Sequence, residues 1–523
     1  MKRAIAALAL AGGLAACASE PAKPAATVTP PPPAPPAATA VAAPQPPGPP
    51  LEFWAGRTDL IRAPAPPKPA ALELPPIQRF KLPNGLEVLV VPRKDLPVAS
   101  FGIEVAAGGF DEGRDHLGVS DFVAAMLRRG TKKRSADDIS RAIDFVGGAL
   151  DAQASNEGTT ATCTVLSKDT PLCLDLLSDI LLHPSFPEGE MPEVRDQMLA
   201  AVASRYDSPG DLAGAHFDNL LFGENNPEGW VLTAADVQKI TRADLETFWK
   251  TFYRPNRAIL AVAGDVDVPH LRAALEKAFG SWARGEAPAR PDFKVPPAEK
   301  TRVLLVDKPD LTQATMIVGH PGIRHADPRW YAATLVNYVL GGSDFSSRLM
   351  TEVRSKRGLT YGISSSFGAS LYQGAFRIGA STKNQSVWEA LLATEDELRR
   401  MKAGGPTTEE LDKAKGYYAG SYPFALQATA GIAAALVAAE LHGLGDAYVR
   451  DLPLRLAAVD QPAAKAVAAE LLHPDTLLIV IVGNGAAVAP QLTNAGIAFE
   501  RIGFKDPIDA AARAAATVKK TRN

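Results

Sequence analysis

The chain has 523 residues, with 55 Lys and Arg against 58 Asp and Glu and a formal net charge of -3. That balance argues against a nucleic-acid partner and gives no sign of an anion-binding surface. Beyond an N-terminal stretch poor in large apolar side chains, about 440 residues remain, enough for two sizeable cores.

Residues 1–19 read as a targeting segment. Lys2 and Arg3 form a basic start, and residues 4–14 are apolar but too short to span a bilayer. Leu14-Ala15-Ala16-Cys17 resembles a bacterial lipoprotein cleavage box; an ordinary secretory signal is the alternative. The resemblance implies cleavage before Cys17, lipid on its sulfur and a membrane anchor. Ala18, rather than Asp, follows Cys17, which by analogy with Gram-negative sorting implies the outer membrane, facing the periplasm. Residues 20–76 are Pro/Ala-rich, cannot bury a core and favour extended polyproline II. They are expected to be a disordered, semi-rigid tether, with a Pro-rich recognition ligand as the alternative. The LEFWAGRTDL stretch within them is expected to dock on the folded body.

The body reads as an internal repeat, residues 77–291 and 292–508, followed by a tail, 509–523. FKLPNGLEVLVVPRK and VASFGIEVAAGG open the first half as strands; TRVLLVDKP and QATMIVGHPG open the second. CTVLSKD and FRIGAST are the comparable later strands. SFPEGEMPEVRDQMLAAVASRYDSP answers to PTTEELDKAKGYYAGSYPF as a long helix with Pro at its start and acidic residues in its first turns. Each half closes on a strand, AILAVAGDV or LLIVIVGN, with Gly264 and Gly483 at the same place. Residues 284–300 read as the linker between the halves. Cys163 and Cys173 lack metal-type spacing; packing is the default expectation, with a disulfide possible in an oxidising compartment.

In the second half, GGSDFSSRLMTEVRSKRGLTYGISSSF reads as a helix, a stop and a strand. Ser346 or Ser347 can cap the helix, Leu349 and Val353 supply an apolar stripe, and Gly358 suits the left-handed residue after it. Tyr361, Ile363, Ser365 and Phe367 alternate along the strand. Arg354 in the last turn and Tyr361 at the strand start bring a guanidinium and a phenol to one end of this pair, where both can donate to a carbonyl or oxyanion. Singly, such an Arg commonly just complements the helix dipole and such a Tyr just packs.

SSRLMTEVRSKRGLTY closely resembles the C-terminal-domain signature of the pitrilysin/insulinase-type zinc metallopeptidases. The resemblance covers nearly all of residues 77–508. It implies an α+β fold of two tandem homologous α/β sandwich domains enclosing a cavity. It also implies catalytic roles for Arg354 and Tyr361 in holding substrate and stabilising the transition state.

The same family carries His-x-x-Glu-His on a first-half helix: two zinc ligands and a general base, with a further Glu on the next long helix. The flanking FGIEVAAGGFDEG and MLRRGTKKRS are present, but between them stands GVSDFVAA. Position by position, Asp121 stands at the first His, Ala124 at the Glu and Ala125 at the second His. The distal Glu falls at Ala200 or Ala201. Alanine has no ligand atom, and one Asp is not a zinc site, so no metal is expected on this chain. The remaining histidines show no i, i+4 pair on a helix, and a surface or core role is the default for each. Some insulinase-family members work as two chains, one bringing zinc and base, the other the Arg/Tyr pair. The resemblance thus implies a non-zinc subunit, inactive alone, of a heterodimeric peptidase acting on unfolded peptides, with zinc in the partner. The alternative is a catalytically inactive scaffold or peptide-binding protein of the cell envelope.

Overall fold

A computed structural model of the chain describes residues 70–514. The targeting segment, Cys17, the LEFWAGRTDL stretch and most of the tether lie outside the described residues. All the described residues fall within one compact unit, Pro66–Asn523.

The first half begins with β1 (Gln78–Lys81), β2 (Glu87–Pro92) and β3 (Val98–Val105), then α1 (Val119–Leu127) and α2 (Ala136–Phe145). It continues through β4 (Ala149–Ala154), β5 (Thr159–Leu166), α3 (Thr170–Leu182), α4 (Met191–Ser204) and α5 (Pro209–Phe222). It closes with α6 (Ala234–Lys239), α7 (Arg242–Phe252), β6 (Ala258–Gly264) and α8 (Val268–Phe279). The second half runs β7 (Arg302–Asp307), β8 (Gln313–Pro321), α9 (Trp330–Asn337), β9 (Thr360–Phe367) and β10 (Ala375–Lys383). Then come α10 (Val387–Gly404), α11 (Thr408–Ala425), α12 (Thr429–Leu441), α13 (Asp446–Ala457), α14 (Gln461–Leu471), β11 (Leu478–Gly483), α15 (Gly485–Asn494) and β12 (Glu500–Gly503).

Among the described residues two six-stranded sheets result, ordered β1-β2-β6-β3-β5-β4 and β12-β7-β11-β8-β10-β9. The repeat is visible in the register. β2 and β6 pair in parallel and end at Pro92 opposite Gly264; β7 and β11 do the same and end at Asp307 opposite Gly483. Only the outer strands beside these pairs differ, β1 being antiparallel to β2 and β12 parallel to β7. The central strands are buried on both faces, which is why LIVIVG in β11 is apolar throughout.

Each sheet is covered on one face by helices of its own half. The other face is covered by a helix from the opposite half. Ile432, Ala433, Leu436 and Val437 of α12 pack on Leu89, Val91, Ala261 and Ala263 of the first sheet. Leu212, Phe217 and Leu221 of α5 pack on Leu304, Val306, Val480 and Val482 of the second. The halves are therefore interleaved, and parting them would expose apolar surface on both sheets.

The connecting segment is pinned as well. Arg290 reaches Asp111 with contacts of 3.1 and 2.6 Å, and Arg257 meets the same carboxylate at 2.8 Å. Asp111 is almost fully buried, so two guanidinium groups offset its desolvation. Phe293 stacks on Phe110 with centroids 5.4 Å apart and meets the Tyr372 edge at 5.2 Å. Cys163 of β5 and Cys173 of α3, for which packing was the default expectation, are joined by a disulfide. Pairing at a separation of 10 residues removes unfolded-chain freedom amounting to about 2–3 kcal/mol.

Candidate functional site

The second-half turn is built from two π-helical stretches, Tyr338–Gly342 and Met350–Lys356. Such wide turns are rare and cluster at functional sites. Gly341 permits the first: a Cβ there would lie 2.7 Å from the Ser365 nitrogen, so the helix backbone rests directly on β9. Just ahead of the second, the Ser347 hydroxyl accepts the Met350 N–H at 3.3 Å. Leu349 and Val353 are fully buried and anchor the inner face. Gly358, at φ +64°, closes the helix; its N–H returns to the Arg354 carbonyl at 2.9 Å and the Leu359 N–H to Val353 at 3.0 Å.

Neighbouring cations here are neutralised. Arg348 is paired with Glu410 at 2.8 and 2.6 Å, and Lys356 and Arg357 both hold Glu352. Arg354 is the exception. Among the described residues its guanidinium meets no carboxylate, and it lies over the Phe345 ring, 4.4 Å from the centroid. An aromatic face holds a guanidinium without consuming its donors. Phe345 is itself 65 % exposed, and the sequence reading did not single it out. An aromatic before the Ser-Arg-Leu helix was the available signal.

Tyr361 is 86 % exposed, whereas Ile363 and Ser365 are buried. The alternation expected from Tyr361 to Phe367 therefore slips at its first step. The cause is a β-bulge: between the pairs Ala380–Ile363 and Thr382–Thr360, Tyr361 and Gly362 together oppose Ser381. Thr360 fixes it, its hydroxyl accepting the Gly362 N–H at 3.0 Å and lying 2.7 Å from the Ser381 carbonyl. Bulges re-aim side chains at sheet edges, and β9 is the last strand of its sheet. Arg354 and Tyr361 thus emerge at the same helix–strand turn, not hydrogen-bonded to each other, each with its donors available.

The first-half site is built differently. α1, which carries Asp121, Ala124 and Ala125, packs against β4, the last strand of the first sheet, and against α4, which carries Ala200 and Ala201. Ala124 is buried, Ala125 half-buried, and Ala200 and Ala201 exposed. Asp121 is also exposed, yet the protein crowding around it raises its carboxyl above the usual range. Beneath it Glu112 is buried and accepts the Gly118 and Ser120 N–H groups at 2.8 and 2.6 Å and the Ser120 hydroxyl. Burial pushes Glu112 up to about 7 in spite of these donors. Zinc does not fit the four family positions, because three of them carry no donor atom. Among the described residues no group of three or more His, Cys, Asp or Glu is arranged to hold a metal ion.

Comparison with known proteins places the whole arrangement. Residues 88–220 match the family described as Insulinase (Peptidase family M16), and residues 239–418 match Peptidase M16 inactive domain. An uncharacterized zinc protease of Streptomyces coelicolor is 33 % identical over 415 residues, 77 % of this chain and 89 % of that protein. An uncharacterized zinc protease of Mycobacterium tuberculosis is 33 % identical over 367 residues, 69 % of this chain and 83 % of its own length. The solved structure of a peptidase M16 inactive domain from Pseudomonas fluorescens superposes with a TM-score of 0.73 at 28 % identity, covering 78 % of this chain and 98 % of that one. A chain bearing both M16 domains, and aligned with these relatives over most of their length, belongs to the insulinase family, peptidase family M16.

Proposed function

We propose that this chain is the zinc-free subunit of a two-chain peptidase of the cell envelope, giving Arg354 and Tyr361 to an active site whose zinc is held by a partner of the same family. The observation that carries this is an asymmetry. The first half has alanine where donors are needed, while the second half keeps an unneutralised guanidinium on an aromatic platform and a phenol turned outward by a bulge. Both groups would donate to the carbonyl of an extended, unfolded peptide and orient it. A peptide laid along a sheet edge gains backbone hydrogen bonds with little sequence selection. The Cys163–Cys173 bond supports an oxidising compartment, consistent with export and anchoring through Cys17.

The first-half site taken by itself favours a second reading, a catalytically inactive scaffold or peptide-binding protein of the envelope. One experiment separates the two. The full chain is mixed with a zinc-bearing M16 chain from the same genome, and turnover of an unfolded peptide is followed. Tyr361→Phe removes one donor and should slow the mixed enzyme about 10²–10³-fold, without loss of the complex or of melting temperature. Unchanged turnover, or none on mixing, assigns the chain to the scaffold class.

A further inference from the structure

Four side chains from separate parts of the chain form one hydrogen-bonded line across the boundary between the halves. Tyr448 Oη lies 3.0 Å from His325 Nε2, His325 Nδ1 lies 2.6 Å from His442 Nδ1, and His442 Nε2 lies 2.7 Å from Glu157 Oε2. Glu157 Oε1 also accepts the Leu371 N–H at 2.6 Å. Glu157 sits in the turn between β4 and β5. His442 ends α12, the second-half helix that covers the first sheet. His325 follows β8, and Tyr448 belongs to α13. The line therefore ties a first-half turn to three second-half elements.

Donor chemistry fixes where the protons sit. An ionised carboxylate only accepts, so His442 Nε2 carries a proton. The two Nδ1 atoms face each other and can share only one. With both imidazoles neutral, Tyr448 O–H donates to His325 Nε2, His325 Nδ1–H to His442 Nδ1, and His442 Nε2–H to Glu157. One further proton is accommodated: it settles on His325 Nε2, and Tyr448 turns to accept. Every contact survives, and the imidazole pair now carries a positive charge facing Glu157. A second further proton places N–H against N–H, which no rotation relieves.

We propose that this line is an acid-released latch between the two halves, closed with none or one extra proton on the imidazole pair and opened by the second or by loss of the Glu157 charge. The surroundings set a low release point. From the first half, Glu104 bonded to Thr160 and Glu228 bonded to Ser370 face the site, Asp218 paired with Arg377 lies behind Glu228, and Arg290 holds the Glu157 carbonyl. From the second half, Glu440 is occupied by Arg79, Asp327 by Arg329, and Trp330 packs 4.5 Å from the His325 ring, with Tyr331 and Arg324 nearby. Burial, with the His442 charge adding to it, holds His325 down to about 4. Although burial raises Glu157, the His442 bond and charge and the Leu371 N–H hold it below the usual carboxylate range. The latch is thus shut through neutral and mildly acidic pH.

Amide hydrogen exchange on the full chain tests this, with the intrinsic pH dependence of exchange removed. Leu371 and the amides of residues 438–448 should lose protection in one step below about pH 5, before the sheets do. His325→Phe keeps the ring and removes the second site of charge, so its step should move down by at least about one pH unit. Glu157→Gln lacks the anion at every pH, so the same amides should already be unprotected at neutral pH. The latch is refuted if the wild type stays protected until the sheets unfold, or if Glu157→Gln and His325→Phe both release at the wild-type pH. Should His325→Phe fail to fold, Glu157→Gln alone decides: retained protection of these amides at neutral pH refutes the latch.

Discussion

Phe217 belongs to the first half of the chain but to the core of the second sheet, and replacing it with Ala tests that interleaving. The ring is fully buried among Leu304, Val306, Val480 and Val482. It lies so close to β8 that a Cβ on Gly319 would stand 2.8 Å from its Cζ, and Arg377 covers it at 5.3 Å. With no slack to collapse into the hole, Phe217→Ala should cost about 3–5 kcal/mol. At about 1.4 kcal/mol per factor of ten, amide protection in β8 and β11 should fall by roughly two to three and a half powers of ten. The β3 and β6 amides should fall less or only through global unfolding. Hydrogen exchange read by mass spectrometry on the folded chain measures both. Loss confined to residues 78–264, or a change under about 1 kcal/mol, would refute the exchange of helices between halves.

Phe345→Leu removes the platform under Arg354 at an exposed site; a cation–π contact of about 0.5–1 kcal/mol there predicts a two- to five-fold slower mixed enzyme with melting unchanged. An equal effect of Phe345→Tyr, which keeps the ring, would contradict that role. Glu104 is buried, and burial pushes its carboxyl from 4.5 to about 7. The folded state then holds a proton that the unfolded state releases, so stability is full below pH 4.5 and falls by about 3 kcal/mol as the pH rises to 7. Glu104→Gln should abolish that part of the pH dependence in urea titrations at pH 4.5 and 8; parallel curves for both proteins would sink it.

The duplication was legible because each half repeats its strand pair, its strand-ending Gly264 or Gly483 and its capped helices, and local chemistry dictates those positions. Which sheet a helix covers was not. TAGIAAALVAAEL in α12 is apolar on nearly every side, so its pattern announces burial without naming a partner. The helix, stop and strand around Arg354 were legible from Ser347, Leu349, Val353 and Gly358. Their π-helical pitch was not, since residue propensities do not distinguish it from the α pitch. The outward turn of Tyr361 escaped because a bulge depends on the partner strand, here Ser381 of β10. Cys163 and Cys173 carried no geometric information in their spacing alone. The histidine line was invisible for a related reason: 117 residues separate His325 from His442, and 285 separate His442 from Glu157.

The central claim is that the first half has lost its metal while keeping its fold, and zinc content measures this most directly. The purified chain, equilibrated with zinc and desalted, should hold well under about 0.1 equivalent, because a stable site needs about four ligands. Restoring the donors together as Asp121→His, Ala124→Glu, Ala125→His and Ala201→Glu should raise this toward one equivalent, with α1 and α4 already side by side. One equivalent in the unaltered chain would contradict the account.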